Sequence, residues 1–353
     1  MSVWVIGAVA PLREITTSTR PSTAVSRTCG ENDTVNCRGR GAAGAADALS
    51  PPAATTAATA ATISLFRTFI PDSPHSFGYA AMVDREKITL TGAQETMLAT
   101  LYGRALDSRL PASILHDDEA ARAVKRIDYD FRKTGIKRTS AVGVAVRAKT
   151  LDDWAAAFLA RNQEATVLHL ACGLDTRAQR LSPPASVRWV DVDFPEVIEL
   201  RERLLPSPAG DYRMVRSSVT SDEWLQEIPA DRPTVAVFEG LSMYLTKDDG
   251  KRLIQRITER FRGGELLFDC YGTLGVRLQK WVPAVRRTGA SLHWGIDDPT
   301  ELEAWHDGLK CRESRNSMEL GLDQMSALGR LNMKMLAGIP GFRTIGQILR
   351  YEF

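Results

Sequence analysis

The stretch that most constrains this 353-residue chain is Val167-Leu168-His169-Leu170-Ala171-Cys172-Gly173-Leu174-Asp175-Thr176-Arg177. A short apolar run is broken by small residues and followed by Asp and Thr, the pattern of a buried parallel strand turning into a helix start. In open α/β sheets, ligands gather beyond the carboxyl ends of the strands, so this turn is the first place to look for a site.

The turn also restricts its ligand. A dinucleotide site needs several glycines so that backbone can close on a pyrophosphate at a helix N-terminus, and here Gly173 is flanked by Ala171 and Cys172. Asp175 would sit where the diphosphate lies and would repel it. A cation carrying an amine and a sulfonium, S-adenosylmethionine (AdoMet), suits that carboxylate. A turn with no ligand is the plain alternative, since a short glycine motif is weak alone. The next strand pattern, Val187 to Phe194, ends in acid, with Asp193 placed 20 residues beyond Gly173. That is about the distance at which an acid at the end of a second strand reaches ribose hydroxyls. Asp191 competes for the role. Asp193 is preferred because it stands at the strand exit before Pro195.

With these residues in view, the chain resembles the AdoMet-dependent methyltransferases of the leucine carboxyl methyltransferase family, in particular their microbial polyketide O-methyltransferase branch. The matching pieces are Glu95-Thr96 with Leu101-Tyr102-Gly103-Arg104-Ala105, Arg147 with Leu151-Asp152-Asp153, Gly173 to Arg177, Val192 to Pro195, and Glu239-Gly240 with Met243-Tyr244-Leu245. They follow the family's order and run from about Met82 to Phe353. One departure is Ala171, where the family usually has glycine, which hinders close backbone approach.

The resemblance implies a doubly wound, mostly parallel seven-stranded Rossmann-like α/β sheet with an N-terminal helical cap. It places the cap at 85–148 and the core at 149–353. It implies Thr96, Arg147, Ala171, Gly173, Asp175, Asp193, Ser218, Val219 and Glu239 as AdoMet contacts, with Arg147 pairing the ligand's carboxylate and Ser218 and Val219 reading its adenine. Tyr102, Arg104, Tyr244 and His293 are the acceptor-side candidates. For Thr96, Tyr102 and Arg104, plain helix packing is the competing reading.

The rest of the chain supports that architecture. Thr234-Val235-Ala236-Val237-Phe238 is a continuous branched run, as expected of a buried parallel strand, and it ends in Glu239-Gly240 at the same sheet edge. Further strands are expected at Tyr212–Val215, Glu265–Tyr271, Leu309–Glu313 and Ile345–Phe353, the last two as an antiparallel edge pair. Helices are expected at Lys87–Arg109, Asp117–Phe131, Pro195–Leu205, from Thr246, and at about Leu320–Ala337. Thr150 with Asp153 reads as a capping box that starts a helix just after Arg147. Strands alternating with helices at this spacing specify a doubly wound sheet. Met325, Met333 and Met335 read as core filler. Trp281, Trp294, Trp305 and His306 fall in a variable region that lines the acceptor pocket in the family.

Composition narrows the function classes. The net charge of +2 gives no case for nucleic acid, and the basic run Arg122 to Arg138 is diluted by Glu119, Asp128 and Asp130. No apolar run approaches the roughly 20 residues of a membrane span. The five scattered cysteines show no CxxC pairing, which argues against a disulfide framework or a zinc site and fits a cytoplasmic protein. Cys172 reads as a small buried residue rather than a nucleophile. Residues 1–80 are rich in Ala, Thr, Ser, Pro and Gly with scattered Arg, and are expected to be disordered. A transit peptide, or a translation start at Met82, also accounts for them.

The expected activity is methyl transfer from AdoMet to an oxygen of a small molecule, a carboxylate by preference, because a carboxylate is ionised at neutral pH and needs no general base. A phenolic acceptor would require one, for which His293 or His306 would serve. Methylation of a protein C-terminus, a non-catalytic AdoMet-binding module and a nicotinamide oxidoreductase are the rival readings. Oligomeric state is not legible in the sequence.

Overall fold

The computed structural model describes residues 85–88, 93–281, 283–322, 327–339 and 341–353. The expectation of disorder over residues 1–80, with Cys29 and Cys37, and that for Met325 lie outside these residues.

In chain order the helices are α1 (Ala93–Asp107), α2 (Asp118–Arg126), α3 (Arg138–Arg161), α4 (Arg177–Leu181), α5 (Pro195–Leu204), α6 (Glu223–Gln226), α7 (Lys247–Arg260), α8 (Thr273–Arg277), α9 (Pro283–Thr288) and α10 (Ala327–Ala337). The main sheet has seven strands, β1 (Thr166–Leu170), β2 (Arg188–Asp193), β3 (Asp211–Arg216), β4 (Thr234–Phe238), β5 (Gly264–Tyr271), β6 (Lys310–Asn316) and β7 (Gly346–Glu352). Their order is β3-β2-β1-β4-β5-β7-β6. All neighbours are parallel except β7, which runs antiparallel to both β5 and β6. The doubly wound, mostly parallel sheet expected from the alternating pattern is therefore present.

The central strands are apolar on both faces because helices cover both. In β4, Ala236 and Phe238 join a core with Leu253, Ile254 and Ile257 of α7, whereas Val235 and Val237 face Trp154, Ala155 and Phe158 of α3. Phe238 stacks on Phe268 of β5, and Phe268 on Tyr351 of β7, at ring separations of 4.5 and 5.6 Å. Each such ring removed from water stabilises the fold by about 1.5–3 kcal/mol. α7 starts as its sequence indicates: the Asp249 amide donates to Thr246 Oγ1 at 3.1 Å.

Helix α3 does not start where the capping pattern placed it. It runs unbroken for 24 residues from Arg138, and Thr150 Oγ1 donates back to the Val146 carbonyl at 2.8 Å as an interior residue. Asp153 pairs with Lys149 rather than with a helix start. Arg147 therefore sits in mid-helix, and α3 crosses the 148/149 boundary drawn between cap and core.

The cap is α1 and α2 laid against α3 and the first turn of the core. Leu98, Leu101 and Ala105 pack with Ala120, Ala123, Leu174 and Leu200. Gly103 lets α1 approach α3 closely, since a Cβ there would lie 2.9 Å from Val144 Cγ2. The helix expected to reach Phe131 stops at Arg126. Ile127 turns extended and, with Asp128, forms a two-residue parallel bridge to Glu86–Lys87.

The variable region also differs from expectation. Trp294 is buried against α7, where a Cβ on Gly250 would lie 2.2 Å from its ring, and it stacks on Trp305 at 5.6 Å. Trp281 and Met335 are exposed, and of the two described α10 methionines only Met333 is core.

Candidate active site

A cavity of about 450 Å³ opens at the carboxyl ends of β1, β2 and β4, with α1, α3 and α9 contributing to its walls. Its floor is the turn after β1. Ala171 and Gly173 both take φ +49°, a left-handed conformation that costs a residue with a Cβ roughly 1–2 kcal/mol. The Gly173 amide donates to Asp193 Oδ2 at 2.7 Å, and the Phe194 amide donates to Oδ1 of the same carboxylate at 2.8 Å. Two buried arginines hold the turn's carbonyls. Arg201 of α5 donates to Gly173 O at 3.1 Å and to Asp175 O at 2.5 Å, and Arg104 of α1 donates to Leu174 O at 3.0 Å.

Below the turn lies a buried ionic network. Arg177 pairs with Asp152, Asp175 and Glu239 at 2.6, 3.0 and 2.8 Å. Arg180 bridges Asp117, Asp152 and Asp175 at 3.0, 2.7 and 2.9 Å, and Arg104 meets Asp117 at 3.2 Å. Arg147 holds Glu239 at 2.8 Å and Asp269 at 3.0 Å. His169 Nδ1 lies 2.9 Å from Asp191, which also meets Arg201 at 2.7 Å and accepts from the Tyr212 hydroxyl at 2.5 Å. Asp191 is thus committed inside the protein, and Asp193 is the acid that faces the cavity.

Burial and partners set the protonation states. Burial raises the Asp175 carboxyl, but Arg177, Arg180 and Arg104 outweigh it and hold the group well below the usual carboxylate range. Its charge is therefore already matched, and it is not the free anion that the turn alone suggested. Burial lowers His169, yet its bonds to Asp175 and Asp191 raise it above the ordinary histidine value. Burial raises Asp193, and the Gly173 and Phe194 amides only partly offset this. Burial likewise raises the Tyr244 and Tyr271 hydroxyls, and pushes the Cys172 thiol well up, which removes it as a nucleophile. The network sets Arg104, Arg147, Arg177, Arg180, Arg201 and His169 against Asp117, Asp152, Asp175, Asp191, Glu239 and Asp269. Asp193 stands outside this balance, held only by backbone amides.

Thr96, Arg104, Arg147, Ala171, Gly173, Asp175, Asp193, Ser218, Val219, Glu239 and Tyr244 all line the cavity. Tyr244 donates to Thr96 Oγ1 at 3.3 Å, which joins the turn after β4 to the cap. Two candidates do not reach it. Tyr102 stacks on Phe131 at 5.2 Å inside the cap, because its position on α1 faces the 3-10 turn Phe131–Thr134 rather than the sheet. His293 is exposed and engages Met243 O through its backbone amide. His306 lies by the edge strands, where its ring accepts from the Gly308 amide. His169, Asp269, Tyr271 and Val285 border the site or its network without having been selected. His169 and Asp269 carried a usable signal, since each is an ionisable residue directly following an apolar run within a strand, a position that requires a buried partner.

This sheet order, with its single reversed strand and a cavity where the winding changes direction at β1 and β4, defines a doubly wound α/β protein with its cavity at the topological switch point. The model of the family described as leucine carboxyl methyltransferase matches residues 97–258. Over 269 residues the chain is 41% identical to the tetracenomycin polyketide synthesis O-methyltransferase TcmP of Streptomyces glaucescens, covering 76% of this chain and 99% of that protein. It is also 41% identical over 251 residues to the S-adenosyl-L-methionine-dependent methyltransferase dpfgK of Gibberella zeae, covering 65% and 84% of the two chains. The chain belongs to the leucine carboxyl methyltransferase family.

Proposed function

We propose that this enzyme methylates the carboxylate of a small, largely apolar molecule of the polyketide or secondary-metabolite kind. The cavity has the size of a small-molecule site, for which about 300–1,000 Å³ is usual, and its donor set suits AdoMet. Asp193 keeps acceptor capacity for ribose hydroxyls beyond its two amide bonds. Ser218 and Val219 line the cavity just past the end of β3, where the adenine would lie, and Glu239, shared with Arg147 and Arg177, would offer its carboxylate to an ammonium. Arg147 would meet the carboxylate of the same amino-acid tail while sharing its guanidinium with Glu239 and Asp269. AdoMet, when bound, supplies a methyl group on an electron-poor sulfonium.

The chain's own contribution is orientation and exclusion of water, effects that contribute up to roughly 7–11 kcal/mol in favourable systems. Met97, Val144, Leu241, Met243 and Val285 give the acceptor side apolar walls. The carboxylate reading rests on one observation. Among the described residues lining the cavity, no base is placed to take a proton from a neutral hydroxyl. His169 is fixed between Asp191 and Asp175, Asp175 is paired with Arg177 and Arg180, Glu239 with Arg147 and Arg177, Asp193 lies between two amides, and Tyr244 and Tyr271 are held protonated. A carboxylate arrives ionised. Thr96, and Tyr244 with its hydroxyl turned from Thr96, would donate hydrogen bonds to its oxygens.

The test is incubation with methyl-labelled AdoMet and aromatic or polyketide carboxylic acids, followed by base hydrolysis. Label released as methanol supports an ester product. A base-stable label identifies an ether and overturns the carboxylate reading, label in the protein fraction points to a protein acceptor, and AdoMet binding without turnover points to a non-catalytic module.

A further inference from the structure

Six large apolar side chains stand exposed among the described residues, and five of them, Trp281, Leu328, Leu331, Met335 and Ile339, belong to one lobe. The lobe comprises α8, the following 3-10 turn Gln279–Trp281 and α10, joined by a small core of Met318, Met333 and Ile345 against which Leu278 and Leu336 pack. Tyr271 belongs to that core and also lines the cavity, so the lobe borders the active site.

Helix α10 has two apolar faces. At about 100° per residue, Leu328, Leu331 and Met335 share one narrow stripe that continues toward Ile339, while Met333 on the opposite side is buried. Lys334 borders the outer stripe on one side, with Arg330 beyond it, and both are exposed. Charge around it is one-sided. Within the lobe, residues 273–281 carry Arg277 and Lys280, residues 327–343 carry Arg330, Lys334 and Arg343, and neither segment contains an Asp or Glu, in a chain whose net charge is only +2. The adjoining acid Glu319 shares a groove with Lys334 and Arg343.

We propose that this lobe docks the enzyme on an anionic lipid surface. A second copy of the lobe would bring like charges together. A stripe of Leu and Met bordered by long cations whose stems can snorkel matches a helix lying in a lipid interface. Lipid contact here is peripheral, since no helix among the described residues is long and apolar enough to cross a membrane.

Flotation of the full chain with vesicles of phosphatidylcholine, with and without phosphatidylglycerol, tests this. Binding is expected only with the anionic lipid, and to weaken with salt. Since one cation at such a surface is worth about fivefold in partition, Arg330→Gln with Lys334→Gln should weaken binding about 25-fold. Leu331→Gln with Met335→Gln should release the protein, while Lys251→Gln with Arg262→Gln, away from the lobe, leaves binding unchanged. AdoMet affinity by calorimetry, retained in every variant, shows that each is folded. No binding to anionic vesicles overturns the proposal, as does equal loss from the control pair. So does a concentration-dependent dimer abolished by Leu331→Gln without vesicle binding, which would assign the stripe to self-association.

Discussion

The Gly173 amide and the Asp193 carboxylate meet at 2.7 Å, fastening the turn after β1 to the exit of β2. Asp193→Ala removes this clasp as well as the proposed ribose acceptor, and a hydrogen bond to a charged group is worth about 1.5–3 kcal/mol. AdoMet affinity by calorimetry is therefore expected to fall at least tenfold, with Asp193→Asn less affected. An unchanged affinity in Asp193→Ala would remove this residue from the site.

Ala171 carries a Cβ at φ +49°. Ala171→Gly relieves the strain of the left-handed conformation, about 1–2 kcal/mol, and part of that gain is returned as unfolded-chain entropy, about 0.4–1 kcal/mol. Urea unfolding should show a net gain of up to about 1 kcal/mol, with AdoMet bound as well or better. A loss of stability would mean that the alanine methyl packs against something the glycine variant leaves empty.

His169 gives a pH signature. Its folded pKa is raised by Asp175 and Asp191 despite burial, so its contribution to stability is fully present below the unfolded value of about 6.5. That contribution is lost as pH rises through the raised folded value. The Tm difference between the native chain and His169→Asn should accordingly shrink with rising pH across this window. A difference that stays flat or grows would contradict the assigned protonation.

Arg177 is fully buried between Asp152, Asp175 and Glu239. Arg177→Ala leaves three buried carboxylates short of a partner, a loss of about 3–5 kcal/mol, measurable as a shift in urea midpoint. A shift under about 1 kcal/mol would show that Arg147 and Arg180 compensate.

Tyr244→Phe keeps the ring and deletes the hydroxyl that reaches Thr96. With an identified acid substrate, KM should rise about tenfold or more, as for loss of one hydrogen bond to a charged group, with AdoMet affinity unchanged. A KM that does not move would assign the hydroxyl to cap packing alone.

The strands were legible because continuous apolar runs such as Val235–Phe238 leave few alternatives, and the turn and acid that follow β1 and β2 mark their carboxyl ends. The start of α3 was not, because Thr150 and Asp153 imitate a cap while nothing between Arg138 and Thr150 stops a helix. The ionic network was illegible for a different reason. Arg147 finds Asp269 at a separation of 122 residues, and no local pattern encodes such a pairing. Tyr102 was carried over from the family resemblance and His293 offered as a possible base, whereas their reach into the cavity depended on which way α1 and the Trp294 segment turn.

The uninterrupted course of α3 limits how the enzyme can breathe. A rod of about 36 Å that carries Arg147 at its middle, and is bonded there to the ends of β4 and β5, cannot serve as a hinge without snapping several of its own rungs. Any opening of the cavity is therefore expected at its other walls, such as the packing of α9 on α1, rather than by bending of α3.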